Sequence, residues 1–226
     1  MLSEQYRSAD NLSGYALWHI TETEDELRSL LSGSADLPQL LKVRNISRRM
    51  EKMAVRILLA QMLGEGHLIG HEATGRPFLT DGSWHISISH TTGWAALAWH
   101  RNRSVGIDIE QRSGRVLRAA NRFISPRERA AAAVLGLLPS PDYELLIWSA
   151  KETAYKWLCR TDVNFLDDMQ VVPDGPVSAS GTCELYVNAL PDSLHPLEKV
   201  PPKIHYHFRP DYVLTFLTDN RDEADG

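Results

Sequence analysis

Three carboxylates and a lysine, in two separate segments, are the side chains of this chain whose types and spacing best suit chemistry. Asp108 and Glu110 alternate with apolar residues in the run VGIDIE, residues 105–110. Alternate side chains of a strand share a face, so both carboxylates would point the same way. Glu152 and Lys156 are four residues apart, which places them on one face of a helix. The four side chains could therefore converge on one hard cation and one reacting hydroxyl.

Simpler interpretations of these residues stay open. Asp-x-Glu pairs occur on many exposed strands, and lysines such as Lys151 and Lys156 are usually surface charges of a helix. Glu152 strengthens the chemical interpretation, because it lies in a stretch otherwise crowded with Trp148, Ala150, Ala154 and Trp157. In that interpretation both lysines neutralise phosphate charge or transfer a proton.

Two shorter segments contain side chains that suit phosphate. Ser89 and His90 end a predicted strand, where a histidine either hydrogen-bonds locally or donates to a phosphate. Neighbouring side chains of a strand face opposite ways, which argues against a Ser/His nucleophilic pair. Arg76 and Pro77 follow Gly75 in a loop that is either an ordinary turn or a phosphate contact through the arginine fork. The sequence contains no glycine-rich phosphate loop and no nucleophile elbow.

Composition narrows the class of protein. A net charge of −5 argues against general nucleic-acid binding, although basic residues concentrate in 42–56 and 111–129. These stretches are either solvated helix faces or local contacts to anions. Two cysteines without metal-site spacing favour a reducing compartment. The first eleven residues lack the apolar core of a signal peptide, and no run suits a membrane span, so we expect a cytoplasmic protein without a membrane partner.

The hydrophobic pattern predicts an α+β chain. Strands are expected over residues 15–21, 84–89, 94–100, 104–109, 169–172, 183–188, 203–208 and 212–217. Helices are expected over residues 22–31, 47–63 with Ser47 as cap, 115–124, a segment restarting at Ser125-Pro126, and 142–158. This order predicts an N-terminal lobe, 1–110, and a C-terminal lobe, 111–226, with a frayed acidic end from Asp219.

Taken in this order, five segments resemble the 4′-phosphopantetheinyl transferase superfamily. They are GRP at 75–77, ISISH at 86–90, VGIDIE at 105–110, RFIS at 122–125 and WSAKETAYK at 148–156. The whole chain is similar to the larger single-chain subgroup, a pseudo-dimer of two similar lobes. Each lobe of that subgroup is a small, mostly antiparallel sheet packed with helices, and the active site lies in the cleft between lobes. The resemblance implies transfer of the phosphopantetheine arm of coenzyme A to a serine of an acyl or peptidyl carrier protein, with release of adenosine 3′,5′-bisphosphate.

The resemblance also implies roles for individual residues. Asp108, Glu110 and Glu152 would hold Mg²⁺, or Mn²⁺, on the coenzyme A pyrophosphate. Glu152 or a water on the metal would take the serine proton, and Lys156 would meet the α-phosphate and the leaving group, which makes Asp108, Glu152 and Lys156 the predicted catalytic residues. The predicted coenzyme A contacts are Arg44, Arg56, Arg76, Pro77, Ser89, His90, Lys151 and Lys156. An acidic carrier protein would dock on Arg115, Arg118 and Arg122, and we expect a monomer.

The sequence departs from the family pattern in two places. Many members have glycines soon after the equivalent of Lys156, whereas residues 157–162 contain none, which puts the carrier preference in doubt. The region before Trp18 is short, so the first lobe is expected to be smaller than the family pattern. Two other functions stay open. One is a non-catalytic homologue that binds coenzyme A or a carrier, and the other is a metal-dependent phosphohydrolase that cleaves coenzyme A without a carrier.

Overall fold

The computed structural model describes residues 1–114, 116–137, 140–188 and 201–218. The chain divides into two compact units, Met1–Ile109 and Glu110–Gly226. Both contain helices and antiparallel strands, which confirms the predicted α+β class. None of the helices in the described residues is long and apolar enough to cross a membrane.

The first unit is built on a four-stranded antiparallel sheet in the order β1-β2-β6-β5. The sheet consists of β1 (Leu2–Arg7), β2 (Ser13–His19), β5 (His85–Thr91) and β6 (Trp94–His100). Two short strands of the same unit, β3 (Ile69–His71) and β4 (Pro77–Leu79), form a separate hairpin. Its helices are α1 (Glu24–Leu30), α2 (Leu37–Leu40) and α3 (Ile46–Leu63). Helix α3 buries Met53, Ile57 and Leu58 against Leu97 and Trp99 of β6, and this apolar face fixes which side of the helix stays outside.

Strand β7 (Val105–Gln111) carries the chain from the first unit into the second. The second unit contains an antiparallel sheet in the order β11-β10-β9-β8. The strands that follow β7 are β8 (Met169–Pro173), β9 (Ser180–Val187), β10 (Lys203–Phe208) and β11 (Tyr212–Thr218). The helices are a 3₁₀ helix (Leu117–Arg122), α4 (Pro126–Val134) and α5 (Pro141–Leu158). Each unit thus combines an antiparallel sheet with one helix of 18 residues, α3 or α5.

Helix α5 is buried on most of its surface. Ala150, Ala154 and Trp157 belong to the same apolar core as Val213 and Leu217 of β11. One stripe with helical spacing stays half-buried, and its members are Asp142, Glu144, Trp148, Glu152, Tyr155 and Lys156. Polar groups on the one open side of an otherwise buried helix are placed to meet a ligand.

Several predicted boundaries were wrong. Helix α3 begins after Asn45, whose side chain accepts the N–H of Arg48 at 2.9 Å, and not at Ser47. Helix α5 begins after Ser140, because the Ser140 hydroxyl accepts the N–H of Tyr143 and Pro141 suits the first turn. The predicted helix 115–124 is a shorter 3₁₀ segment, and residue 115 and the predicted frayed end from 219 lie outside the described residues.

Strand β1 and the hairpin β3–β4 were missed for a physical reason. Five of the six residues of β1 are exposed, so the strand has no apolar face for a pattern to reveal. β3 and β4 have three residues each, too few to show an alternation.

Candidate active site

Asp108 is held in the first unit by the alternating serines of β5. Asp108 is 5 % exposed, and its Oδ1 accepts a hydrogen bond from Ser89 Oγ at 2.8 Å. Two residues earlier, Ser87 Oγ accepts the backbone N–H of Ile107 at 3.1 Å. The period of two in a strand places both serines on the face that meets β7. The Ser-x-Ser pair therefore positions β7 and orients the Asp108 carboxylate, a role that the sequence did not show for Ser89.

Glu110 is oriented in the second unit by an aromatic side chain of α5. Trp148 Nε1 donates a 3.4 Å hydrogen bond to Glu110 Oε2. The indole ring packs against Phe123 and Phe165, with ring centroids 5.0 and 5.8 Å away. Aromatic packing of this kind limits the motion of the indole, so the hydrogen bond to Glu110 comes from a fixed donor.

Glu152 and Lys156 lie on α5, as their spacing predicted. Both belong to the half-buried stripe of that helix, one turn and two turns after Trp148. A carboxylate and an ammonium group are therefore presented on one open helix face, beside the indole that orients Glu110.

The three carboxylates predicted to bind a metal are divided between the units. Asp108 belongs to the first unit, whereas Glu110 and Glu152 belong to the second. Within the described part of either unit, no three His, Cys, Asp or Glu side chains are grouped as a ready-made metal site. The donor chemistry nevertheless fits Mg²⁺, because all three supply carboxylate oxygens, and hydrogen bonds from Ser89 and Trp148 hold two of them in place. The metal site stays a prediction.

Lys151 is not available to coenzyme A in this structure, which corrects its prediction as a cofactor-binding residue. Its side chain is 0 % exposed. The ammonium group donates to Phe123 O at 2.7 Å, Phe165 O at 2.6 Å and Glu128 Oε2 at 2.8 Å. These three acceptors match the three donors of an ammonium group. Burial lowers the pKa of Lys151, while the Glu128 carboxylate acts in the opposite direction.

Glu128, the partner of Lys151, is likewise 0 % exposed and fully used inside the second unit. As the capping-box residue of α4, its Oε2 accepts the N–H of Ser125 at 2.7 Å. Oε1 accepts the N–H of Val171 in β8 at 2.8 Å. The Lys151–Glu128 pair thus ties the start of α4, strand β8 and helix α5 together, directly beside Glu152.

A basic cavity of about 140 Å³ opens in the first unit. Most of its polar lining comes from one face of α3, and the lining residues are Arg48, Lys52, Val55, Arg56, His71, Gly75, Pro77, Ile88 and His90. The three cations on α3 are spaced four residues apart and therefore stack along the helix. Each cation disfavours the charged form of the basic groups beside it. Burial, Arg48 and Arg56 lower the pKa of Lys52, and burial with the same cations and Lys52 lowers the pKa of His71.

The cavity contains some of the residues predicted to bind coenzyme A and not others. Arg56, Pro77 and His90 line it, and Arg56 Nε is held by the Asp36 carboxylate. Neither Arg44 nor Arg76 belongs to the lining. Arg44 is exposed just before the cap of α3, and the Arg76 guanidinium lies 3.8 Å from the Glu72 carboxylate.

Sequence reasoning missed three members of this cavity. Arg48 and Lys52 were noticed only as part of a basic stretch, although the four-residue steps from Arg48 to Lys52 and from Lys52 to Arg56 on a predicted helix were a usable signal. His71 carried no signal, because it arrives from the hairpin β3–β4, which has too little pattern to be predicted.

The residues predicted to dock a carrier protein lie near the start of the second unit. Arg118 and Arg122 are exposed in the 3₁₀ helix, whereas Arg115 lies outside the described residues. Arg129 of α4 adds a further cation nearby, which donates to Asn121 Oδ1 at 2.8 Å. The described arginines form a solvent-facing basic patch, whose role as a docking surface stays a prediction.

Comparison with protein families gives one match. A family model described as the 4′-phosphopantetheinyl transferase superfamily matches residues 104–216, half of the chain. The matched region runs from the residue before β7 into β11 and includes Asp108, Glu110, Glu152 and Lys156. The basic cavity lies in the part of the chain before it. A search of curated proteins returned no significant match.

Proposed function

The chain belongs to the 4′-phosphopantetheinyl transferase superfamily, and from this membership we propose that it moves the phosphopantetheine arm of coenzyme A to a serine of an apo acyl or peptidyl carrier protein. One observation carries the proposal. Within the region that the family model matches, helix α5 presents Glu152 and Lys156 on a half-buried stripe, beside the indole that holds Glu110. The antiparallel sheet and long helix found in each unit support assignment to the pseudo-dimeric subgroup.

The proposed reaction is a displacement at phosphorus. The serine oxygen of the carrier bonds to the phosphorus next to the pantetheine. The bond from that phosphorus to the bridging oxygen breaks, and its electron pair leaves with adenosine 3′,5′-bisphosphate. Catalysis of such a transfer depends mainly on positioning and charge neutralisation.

The residues of this chain divide that work. Asp108, Glu110 and Glu152 would hold Mg²⁺, which when bound supplies positive charge for the pyrophosphate. Lys156 would face the α-phosphate and stabilise the charge of the leaving group. We assign the serine proton to Glu152, whose half-buried position on α5 leaves it open to a substrate.

The basic cavity of the first unit suits the 3′-phosphate of coenzyme A. A volume of about 140 Å³ fits a phosphate group and is too small for a whole nucleotide. Arg48, Lys52 and Arg56 supply the charge, and burial together with Arg48 and Arg56 already lowers the pKa of Lys52. A dianion would relieve this crowding of cations, which is the electrostatic reason for placing a phosphate there.

A mass measurement tests the proposed function. The protein is incubated with coenzyme A, Mg²⁺ and a panel of apo carrier proteins, and the intact mass of each carrier is measured. We expect one carrier to gain a phosphopantetheine arm, and EDTA to prevent the gain. Binding of coenzyme A without any gain across the panel would favour the non-catalytic homologue. Cleavage of coenzyme A without a carrier would favour the phosphohydrolase.

Charge reversal tests the docking surface. Because rim charges mainly set the rate of encounter, Arg118→Glu with Arg122→Glu should raise the carrier KM several-fold and leave kcat close to the wild-type value. The effect should shrink as salt is added. Arg101→Glu with Arg103→Glu, in the loop between β6 and β7, is the matched control for net charge. An unchanged carrier KM in the Arg118/Arg122 variant would move the docking surface elsewhere.

A further inference from the structure

Glu51 does not line the basic cavity, but its carboxylate contacts side chains that do. Two of the cavity's lining side chains, Arg48 and His90, reach the same oxygen of this carboxylate. Glu51 Oε2 is 3.4 Å from Arg48 Nη1 and 3.3 Å from His90 Nδ1. Its other oxygen is 3.4 Å from the hydroxyl of Ser47, so both oxygens of Glu51 have partners on the described part of the chain.

Arg48 and His90 also touch each other. Arg48 Nη1 lies 2.9 Å from His90 Nδ1 and also contacts His90 Nε2. Two groups that each act as cations toward a phosphate would repel at this distance, and a carboxylate within hydrogen-bond reach of both offsets that repulsion. Glu51 is this carboxylate, at 3.4 Å from Arg48 and 3.3 Å from His90, and its side chain is only 12 % exposed, so solvent screens it weakly. By contrast, the Arg48 side chain is 47 % exposed and has room to swing into solvent if Glu51 is removed.

The location of Glu51 on α3 makes this arrangement part of the fold. Glu51 is one turn after Ser47 and directly precedes Lys52, while His90 comes from β5. The carboxylate therefore joins the helix that supplies three cations to the strand that supplies the histidine. Burial raises the pKa of Glu51, while Arg48 and Ser47 favour its ionised form.

We propose that Glu51 is a positioning residue for phosphate recognition, which holds Arg48 and His90 together as a pair of donors at the wall of the basic cavity. The proposal rests on the proposed function, since the phosphate in question is the 3′-phosphate of coenzyme A. Glu51 does not touch the phosphate and acts only through the two side chains that line the cavity.

The test compares two ligands that differ by one phosphate. Calorimetry measures the Kd of adenosine 3′,5′-bisphosphate and of adenosine 5′-monophosphate for each variant. In Glu51→Gln the volume is kept, but the anion is lost, so one of the paired donors is expected to leave the cavity. A charge-assisted hydrogen bond is worth about a 10-fold change in affinity, and reduced repulsion between Glu51 and the phosphate offsets part of it. We expect the preference for the bisphosphate to fall about 5-fold, with Glu51→Asp retaining part of it.

A matched control is available on the same helix. Glu24 of α1 holds Arg49 of α3 through two hydrogen bonds, at 3.0 and 2.6 Å, and neither residue lines the cavity. Glu24→Gln should therefore lower stability as much as Glu51→Gln or more, and leave the bisphosphate preference unchanged.

The outcomes separate this inference from the proposed function. A wild-type protein that does not prefer the bisphosphate would refute the phosphate site itself, whatever Glu51 does. A wild-type preference that Glu51→Gln keeps or increases would refute the positioning role and make Glu51 at most a competing anion. Equal loss of affinity for both ligands would also refute it, because positioning of phosphate donors affects only the ligand that has the extra phosphate.

Discussion

Replacement of Glu152 by glutamine is expected to lower the rate of carrier modification by about 10³-fold, since a metal's charge stabilisation is worth several kcal/mol. Glutamine has the same side-chain volume but lacks the negative charge that would bind the metal and the carboxylate assigned as proton acceptor. Glu152 is half-buried on the open stripe of α5, so the fold should tolerate the change. The measurement is the initial rate of phosphopantetheine transfer, followed by intact mass at several Mg²⁺ concentrations, with unfolding temperature as the check of the fold.

Glu144→Gln is the matched control for that prediction. Glu144 lies on the same half-buried stripe of α5, eight residues before Glu152. Its replacement by glutamine removes the same charge from the same helix face. It should retain nearly all transfer activity. A Glu152→Gln rate within tenfold of wild type would exclude Glu152 as both metal ligand and base, and would leave Asp108 and Glu110 as the remaining candidates.

Replacement of Lys151 by methionine is expected to lower the free energy of unfolding by about 3–5 kcal/mol, the usual cost of breaking a buried ion pair. The loss arises mainly from Glu128, which at 0 % exposure would lose its counter-charge. The carbonyls of Phe123 and Phe165 would lose a donor at the same time. Denaturant unfolding gives the free energy, and Lys156→Met on the open stripe of α5 is the control, which should change it by less than about 1 kcal/mol.

A second variant identifies the mechanism of that loss. Adding Glu128→Gln to Lys151→Met removes the unpaired charge, while the amide oxygen still accepts one of the backbone N–H groups that Glu128 holds. The double variant should therefore recover part of the stability lost in the single one. A single variant within about 1 kcal/mol of wild type, or a double variant less stable than both single ones, would show that the pair is not the main restraint on this part of α5.

Much of the fold was predictable because the local spacing of apolar residues along the chain indicates its strands and helices. The run 105–110 alternates and forms β7, and the apolar spacing before Leu158 forms α5. The spacing of Glu152 and Lys156 correctly predicted a shared helix face. By contrast, β1 and the hairpin β3–β4 were invisible, because their residues have no periodic apolar face to bury.

Two lysines of α5 show what the local sequence pattern could not predict. Lys151 and Lys156 are both lysines in one helical motif, and the sequence suggested phosphate contact for each. In the structure Lys151 is enclosed, because Glu128 arrives from the capping box of α4 and two backbone carbonyls arrive from residues 123 and 165. None of these partners is near Lys151 along the chain, so only the packed fold could assign it a structural role.

The basic cavity makes the same distinction in the first unit. The sequence by itself determined that residues 48, 52 and 56 share a helix face, since that follows from 3.6 residues per turn. Only the tertiary structure brings His71 of β3 and His90 of β5 to this face of α3. It also decides that Glu51 bridges Arg48 to His90. Periodicity determines which way a side chain points, whereas the identity of the groups it meets depends on contacts between distant segments, which only the tertiary structure contains.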